Sequence, residues 1–216
     1  MTTRHQAPKR RIKRNRQEEI LISAKELFFT KGYRLTTIEE IASRAGYSKR
    51  SVYLDFTSKD DLFITISNDG LEMVINRLRK LPGETMDFES YVMRYLETIM
   101  AFAVDHPEYF KMLTADVTPE IIANCSEAVR MRAYQIERAG IELMAETAKR
   151  AMNTGAITKG NPWEIAEILI GSVVGIITLT MSGSQAMMSQ AELRKKVRKL
   201  GRLLCRGLST AGKNDA

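Results

Sequence analysis

The fold of this protein is decided by residues 36–53, which read TTIEEIASRAGYSKRSVY. The stretch contains two short helical patterns with a glycine turn between them. Thr37 can cap the first pattern through its hydroxyl, and Glu40, three residues on, completes a capping box. Gly46 is placed to end that helix, and Ser48 is placed to cap the next one. Residues 36–53 therefore predict two short helices joined by a tight turn.

A longer helical pattern precedes this stretch, over about residues 17–31. Its apolar residues recur three and four positions apart and so share one face. They are Ile20, Leu21, Ala24, Leu27 and Phe28. Gly32 follows, and glycine can adopt the left-handed conformation that ends a helix. Three helices with a tight turn between the last two predict a helix-turn-helix domain over residues 17–62.

The charge of the chain is distributed very unevenly. Residues 1–60 carry 14 Lys and Arg against 7 Asp and Glu, whereas residues 61–216 carry 19 against 19. The whole formal excess of +7 therefore lies in the first quarter of the sequence. This asymmetry is typical of a nucleic-acid-binding end joined to a neutral body.

The predicted third helix begins with two basic residues, Lys49 and Arg50. Cations are unfavourable at the positive end of a helix dipole. In helix-turn-helix proteins the same positions meet base edges in the major groove, where arginine can bond two acceptors of guanine. An ordinary solvated basic face is the alternative. The tight turn before the pair, with Val52 and Phe56 as inward anchors, favours the base contact.

Residues 20–62 resemble the N-terminal domain of TetR-family transcriptional regulators. The matching positions are Ala24, Leu27, Phe28, Gly32, Thr36, Thr37, Ile41, Ala42, Ala45, Gly46, Ser48, Tyr53, Phe56, Ser58, Lys59 and Leu62. Two residues depart from the family pattern: Tyr47 stands where a small aliphatic residue is common, and Arg50 where glycine is common. These two departures affect which operator is read.

The resemblance implies particular roles in DNA binding. Thr37, Tyr53 and Lys59 are expected to contact phosphates, the first at a helix N-terminus that attracts anions. Lys49, Arg50 and Ser51 are expected to contact bases. The full predicted DNA-binding set is Arg14, Arg16, Thr37, Tyr47, Ser48, Lys49, Arg50, Ser51, Tyr53 and Lys59.

A basic arm, residues 1–16, precedes the domain. It has no acidic residue and contains Arg4, Lys9, Arg10, Arg11, Lys13, Arg14 and Arg16. It lacks apolar periodicity, which predicts disorder in the free protein. No apolar core follows the basic residues, so a signal peptide is excluded. The arm is predicted to contact the minor groove or phosphates, and a solubilising tail is the alternative.

The remaining residues, 63–210, read as helical throughout. Ser58, with Asp61, is placed to cap the helix that leads into them. Between residues 87 and 105 an apolar stripe at helical spacing predicts a further helix, with Phe88, Tyr91, Val92, Tyr95, Leu96, Ile99 and Phe102 on one face. We therefore predict an all-α fold of about nine helices, in which the three-helix domain is followed by a helical ligand-binding and dimerisation domain. Pro119 is predicted to open one long helix, with Ile122 and Cys125 facing inward, that ends at Asn153, Thr154 and Gly155.

The last two predicted helices are candidates for a homodimer interface. Residues 165–181 are apolar on nearly all sides, and such a helix in a soluble protein must be covered. The uncharged run at residues 168–181 is shorter than the roughly 20 residues that span a membrane, which argues against a transmembrane helix. The predicted interface residues are Ile168, Gly171, Gly175, Ile176, Leu200 and Leu204.

The resemblance also implies a small-molecule effector that releases the protein from double-stranded operator DNA. Soft apolar side chains suggest a hydrophobic effector, although such residues more often form core than pocket. The candidate pocket residues are Tyr91, Tyr95, Met100, Phe110, Met112, Met131 and Met144.

Catalysis finds little support in the sequence. His5 and His106 have no spaced partners for a metal site or a catalytic triad, so we expect no enzyme activity, metal or cofactor. The sequence has only two cysteines, Cys125 and Cys205, and they lie far apart, which fits a cytoplasmic protein. A redox sensor is the minor alternative. A ligand-independent architectural DNA protein remains the runner-up, and activation remains an alternative to repression.

Overall fold

A computed structural model describes residues 6–181 and 189–210, with side chains for residues 14–114, 116–181 and 189–210. This part of the chain is all-α, with one isolated β-bridge between Ile157 and Ser209. Its helices are α1 (Gln6–Lys31), α2 (Ile38–Ala45), α3 (Lys49–Tyr53), α4 (Lys59–Leu78), α5 (Phe88–Asp105), α6 (Pro107–Lys111), α7 (Pro119–Ala123), α8 (Glu127–Asn153), α9 (Pro162–Met181) and α10 (Gln190–Leu208), with a π-helical turn at Met112–Asp116. The predicted all-α fold class is confirmed.

The chain forms two compact units. The first comprises Met1–Asp69 and Ala115–Ala133, and the second comprises Gly70–Thr114 and Tyr134–Ala216. The sequence placed the boundary after Leu62, a position that lies inside α4. The first unit therefore contains more of α4 than predicted, together with α7 and the start of α8.

The helix boundaries of the first unit follow their capping residues. Thr37 caps α2 and forms the reciprocal capping box with Glu40. Gly32 and Gly46 have φ angles of 86° and 75°, the left-handed conformation that ends α1 and α2. The hydroxyl of Ser48 accepts the N–H of Ser51 at 3.1 Å and so caps α3. These predicted caps are confirmed.

Helix α1 is longer than predicted. It begins at Gln6, so residues 6–16 are helical where the sequence predicted disorder. Extending an existing helix needs no new nucleus, and Lys, Arg and Gln are good helix formers even without an apolar stripe. Arg14 adds a 3.1 Å ion pair with Glu18 one turn on. The side chains of Arg4, Lys9, Arg10, Arg11 and Lys13 lie outside the described residues.

Asp61 organises the start of α4. Its backbone N–H donates to the hydroxyl of Ser58, 3.0 Å away, which caps the helix as predicted. Its carboxylate, on a residue only 3% exposed, accepts the hydroxyl and the N–H of Thr57, and also the N–H of Ser126 at 2.7 Å. Burial alone would raise the pKa of this carboxyl. The hydrogen bonds from Thr57 and Ser126 outweigh burial and hold the pKa below its ordinary value.

The prediction of one long helix from Pro119 to Asn153 is wrong, because the structure has two helices there, α7 and α8. The N–H of Ser126 donates to Asp61 instead of continuing the helical ladder to residue 122. Asp61 thereby satisfies an open amide at the start of α8. Ile122, predicted to face inward, is exposed, and Ile121 is buried in its place. The break depends on a partner 65 residues away in sequence.

The second unit has α5 at the centre of its core. The predicted inward stripe is buried and consists of Phe88, Tyr91, Val92, Tyr95, Leu96, Ile99 and Phe102. The hydroxyl of Tyr95 donates to the carbonyl of Gly140 on α8 at 2.9 Å, so this buried polar group is satisfied. Helices α9 and α10 both pack on α5 and on each other.

Helix α9 has one buried and one exposed apolar face. Ile165, Leu169, Val173 and Ile177 are buried, whereas Ile168 and Leu179 are 58% and 67% exposed. By length and composition alone the 20-residue helix could cross a membrane, so the length argument made from residues 168–181 does not hold for the whole helix. Packing of one face inside the second unit leaves only the other face to be covered.

Candidate nucleic-acid interface

Helix α3 presents the residues predicted to contact bases. Val52 and Phe56 are buried, which confirms them as the inward anchors, and Tyr53 is exposed beside them. The hydroxyls of Ser48 and Ser51 lie 2.9 Å apart, in a single hydrogen bond at the start of the helix. The short helix is therefore held by its cap and its two anchors, with its polar side chains outward.

The two cations at the start of α3 differ in their surroundings. The ammonium of Lys49 forms an ion pair with Glu39 of α2 and lies 5.9 Å from the centre of the Tyr53 ring. The hydrogen bond to Glu39 raises the pKa of Lys49. The guanidinium of Arg50 makes no hydrogen bond or ion pair with any residue that the structure describes. Arg50 is thus ready to bind a ligand, whereas Lys49 must first leave Glu39.

Replacing Arg50 by alanine is expected to relax sequence specificity at one base pair. Removing the bidentate hydrogen bonds should cost about 1 to 3 kcal/mol on the preferred site and little on random duplex DNA. Competitive binding titrations with single-base variants of a selected site measure the difference. An equal loss of affinity for preferred and random DNA would show that Arg50 does not read a base.

Tyr47 and Thr37 both have partners inside the first unit. The hydroxyl of Tyr47 donates to Glu19 of α1, and this hydrogen bond raises the pKa of Tyr47. Tyr47 therefore connects the turn to α1. The N–H and the hydroxyl of Thr37 both donate to the carboxylate of Glu40, at 2.9 and 3.1 Å. A phosphate bound at Thr37 must compete with that carboxylate.

The two arginines predicted from the arm are paired with acids. Arg16 donates to Asp55 at 2.6 Å, and the Asp55 side chain is completely buried. This hydrogen bond raises the pKa of Arg16 and ties α1 to the segment after α3. Breaking a buried ion pair is costly, so Arg16 serves the fold rather than free phosphate binding. Arg14, paired with Glu18, is exposed.

Lys59, predicted as a phosphate contact, turns its ammonium into the protein. The ammonium donates to the carbonyls of Tyr33 and Thr36, at 3.0 Å each, and lies 4.2 Å from the centre of the Tyr33 ring. Desolvation lowers the pKa of Lys59. Two of its three donors are therefore used to hold the loop between α1 and α2.

Residues 14–69 are close to neutral, with nine Lys or Arg and nine Asp or Glu. Most of these cations have an acidic, carbonyl or aromatic partner; they are Arg14, Arg16, Lys25, Lys31, Arg44, Lys49 and Lys59. Within the described part of the chain, Arg34 and Arg50 have none. Sequence reasoning missed Arg34, because its isolation depends on how its neighbours are paired.

Residues 1–13 hold five basic residues and no acidic residue, which is most of the excess charge. Removing them is expected to weaken binding to all duplexes and to flatten its salt dependence by about 0.9 for each phosphate that is no longer neutralised. Affinities measured over a range of salt concentrations give the slope. The matched control keeps the full length and replaces the five cations by glutamine. An unchanged slope would show that residues 1–13 are a solubilising tail that does not contact DNA.

Most of the predicted effector-pocket residues belong to the core of the second unit. Tyr91, Tyr95, Met100, Phe110, Met112 and Met144 are buried there. Met131 was predicted with them, but it is 48% exposed and lies in the first unit, so it is not part of this buried group. Met100 also borders a surface groove of about 350 Å³, together with Leu81, Arg94 and Arg194.

The predicted interface residues lie on the outer side of the last two helices. Ile168, Gly171 and Gly175 are exposed, and Ile176, Leu200 and Leu204 are half-buried. Leu203, which the prediction did not include, is 57% exposed on α10. The second unit thus presents apolar side chains and two exposed glycines on neighbouring helices.

Both cysteines are buried, and burial raises the pKa of each thiol to about 12. Each therefore stays protonated near neutral pH, which disfavours the redox-sensor alternative. In the described ranges, no three His, Cys, Asp or Glu side chains cluster in a way that could hold a metal ion.

Comparisons with known proteins agree with this geometry. Residues 20–66 match the sequence model of the bacterial regulatory proteins of the tetR family. The uncharacterized HTH-type transcriptional regulator YfiR of Bacillus subtilis is 40% identical over 87 residues, 40% of this chain and 42% of YfiR. The chain thus spans less than half the length of this curated relative.

Solved structures extend the similarity to the whole fold. A TetR-family regulator from Mesorhizobium loti, described as putative, has a TM-score of 0.65 and 25% identity, covering 92% of this chain and 98% of that one. FadR from Bacillus subtilis, in complex with stearoyl-CoA, has a TM-score of 0.69 at 15% identity, covering 89% and 99%. The N-terminal domain thus matches that of the TetR family of bacterial regulatory proteins, and the whole fold is similar to those of TetR-family regulators.

Proposed function

We propose that this protein is a cytoplasmic transcriptional regulator that binds a pseudo-palindromic DNA operator as a homodimer and is released by a small hydrophobic effector. The observation that carries the proposal is α3, capped by Ser48 and anchored by Val52, with an unpaired Arg50 in its first turn. An arginine at that position of a helix-turn-helix can bond a guanine in the major groove.

The homodimer is supported by the outer face of α9 and α10. Ile168, Leu179 and Leu203 expose large apolar surfaces there, and exposed patches of this kind mark interaction sites. Gly171 and Gly175 lie one turn apart on the same helix and allow a second helix to approach closely. A second copy of the chain covers this face by two-fold symmetry and provides two reading helices for a two-fold site. If α9 crossed a membrane instead, there would be no reason for one of its faces to be buried against other helices of the second unit.

The effector proposal rests on the apolar interior of the second unit and on the bound stearoyl-CoA in the structurally similar FadR. An effector can release DNA only if it binds the DNA-incompetent conformation more tightly. Repression is our proposal. The position of the operator relative to a promoter decides between repression and activation.

Selection of random duplex DNA by the purified protein near physiological salt, followed by sequencing, tests the proposal. We expect an enriched palindrome with half-sites about one helical turn apart. Retention without an enriched motif would support the architectural alternative. Complete failure to retain DNA would contradict the proposed function.

A further inference from the structure

The loop between α1 and α2, residues 32–37, is fixed on its inner side. Lys59 donates to the carbonyl of Tyr33 and to the carbonyl of Thr36, at 3.0 Å each. These carbonyls flank Arg34 and Leu35, so a single ammonium holds the backbone on both sides of the pair. The hydroxyl of Thr36, a residue only 1% exposed, donates to the carbonyl of Gly32 at 2.8 Å.

The Tyr33 side chain anchors the same loop to the core of the first unit. Its ring centre lies 4.7 Å from that of Phe63 and 5.9 Å from that of Phe28. Its hydroxyl donates to Asp60, a buried residue at the start of α4. The ammonium of Lys59 lies over the face of the Tyr33 ring, which therefore contacts Phe28, Phe63 and Lys59. The loop backbone is therefore held in one conformation by packing and by charged hydrogen bonds.

The two residues at the centre of this fixed loop extend away from the protein. Arg34 is exposed and makes no hydrogen bond or ion pair with any residue that the structure describes. Leu35 is 67% exposed. Every other basic side chain of residues 14–69 except Arg50 is paired. A rigid loop that displays an unpaired cation beside an apolar side chain is suited to a ligand with a negative charge and an apolar edge.

We propose that the α1–α2 loop is a second DNA-contacting element, in which Arg34 binds a backbone phosphate and Leu35 packs against the adjacent sugar. Double-stranded DNA offers both groups side by side, and the first helix of a helix-turn-helix crosses the backbone close to its own N-terminus. Arg34 lies three residues before Thr37, the cap of α2. Lys59 is then a positioning residue that acts through the loop. The inference rests on the proposed DNA-binding function.

Salt titrations of four variants on the selected operator test the loop. Arg34→Ala is expected to weaken binding to operator and random duplex alike, by about tenfold, and to reduce the salt slope by about 0.9. Arg34→Lys should keep the slope because it keeps the charge. Leu35→Ser should weaken binding without changing the slope. Arg44→Ala, which removes an exposed arginine paired with Glu26, is the matched control and should have a smaller effect.

The positioning role of Lys59 has its own test. In a Lys59→Met background, Arg34→Ala should cost less affinity than in the wild type, because the loop no longer holds Arg34 in place. Thermal melts of each variant separate this coupling from a loss of folded protein. Additive effects of the two substitutions would overturn the positioning role.

The outcomes separate this inference from the proposed function. If Arg34→Ala leaves both affinity and slope unchanged while Arg50→Ala still relaxes specificity, the loop proposal is wrong and the function stands. If the wild-type protein binds no duplex at all, both fail together. Arg34 is exposed, so its substitution should leave the fold intact.

Discussion

Replacing Asp61 by alanine is expected to lower the free energy of unfolding of the first unit by about 3 kcal/mol. The substitution leaves the part-buried N–H groups of Thr57 and Ser126 without their acceptor. It also removes the link between the start of α4 and the start of α8. Urea unfolding followed by circular dichroism measures the loss, and hydrogen exchange at the Ser126 amide locates it.

Asp61→Asn is the control, because it keeps the size of the side chain and one acceptor oxygen while removing the charge. We expect it to cost roughly half as much, since hydrogen bonds to a neutral acceptor are weaker than those to a carboxylate. A loss below about 1 kcal/mol for the alanine variant, with Ser126 still protected from exchange, would contradict the role assigned to Asp61.

The same carboxylate predicts a direction of pH dependence. Its pKa is lower in the folded protein than in the unfolded chain, so the folded state binds fewer protons. The stabilisation is therefore fully present above the unfolded pKa of about 3.9 and is lost as the pH falls through the folded pKa. Unfolding measured from pH 6 to pH 2 should show a smaller decline in stability for Asp61→Asn than for the wild type.

Replacing Gly175 by leucine is expected to weaken the proposed homodimer by about a hundredfold. A Cβ added at Gly175 meets nothing within 4 Å in the described part of the protomer, so a clash is expected from a partner. Forcing extra volume into a closely packed helix contact costs about 1 to 3 kcal/mol. Sedimentation velocity over a range of concentrations gives the dissociation constant.

The protomer itself should become more stable in this variant, because leucine favours a helix more than glycine does by about 0.8 kcal/mol. Opposite signs for protomer and dimer distinguish an interface effect from simple misfolding. Gly175→Ala should show the same pattern more weakly, and Glu142→Leu, at an exposed position of α8, is the control. An unchanged dissociation constant for Gly175→Leu would place the interface elsewhere.

The features that the sequence predicted well are those determined by neighbouring residues. The caps at Thr37 and Ser48 and the glycine ends at Gly32 and Gly46 depend on residues within one turn. The buried stripe of α5 depends only on helical periodicity. These local signals were sufficient to predict the helix-turn-helix and the all-α class.

The features that the sequence did not predict depend on contacts between distant segments. The break before α8 requires Asp61, and the inward orientation of Lys59 requires two carbonyls of the α1–α2 loop. Arg16 looked like part of a basic arm until Asp55 was brought beside it by folding. Charge pairing therefore decides which cations are available to DNA, and it cannot be read from composition alone.

The separation between a near-neutral helix-turn-helix and a strongly cationic segment, residues 1–13, has a kinetic consequence. Long-range attraction accelerates the encounter of a protein with DNA, whereas short-range contacts set how slowly the complex dissociates. Changes in residues 1–13 should therefore alter the association rate and its dependence on ionic strength. Changes at Arg50 should alter the residence time on the operator. The association rate and the residence time on DNA can thus be changed independently, by mutations in different parts of the chain.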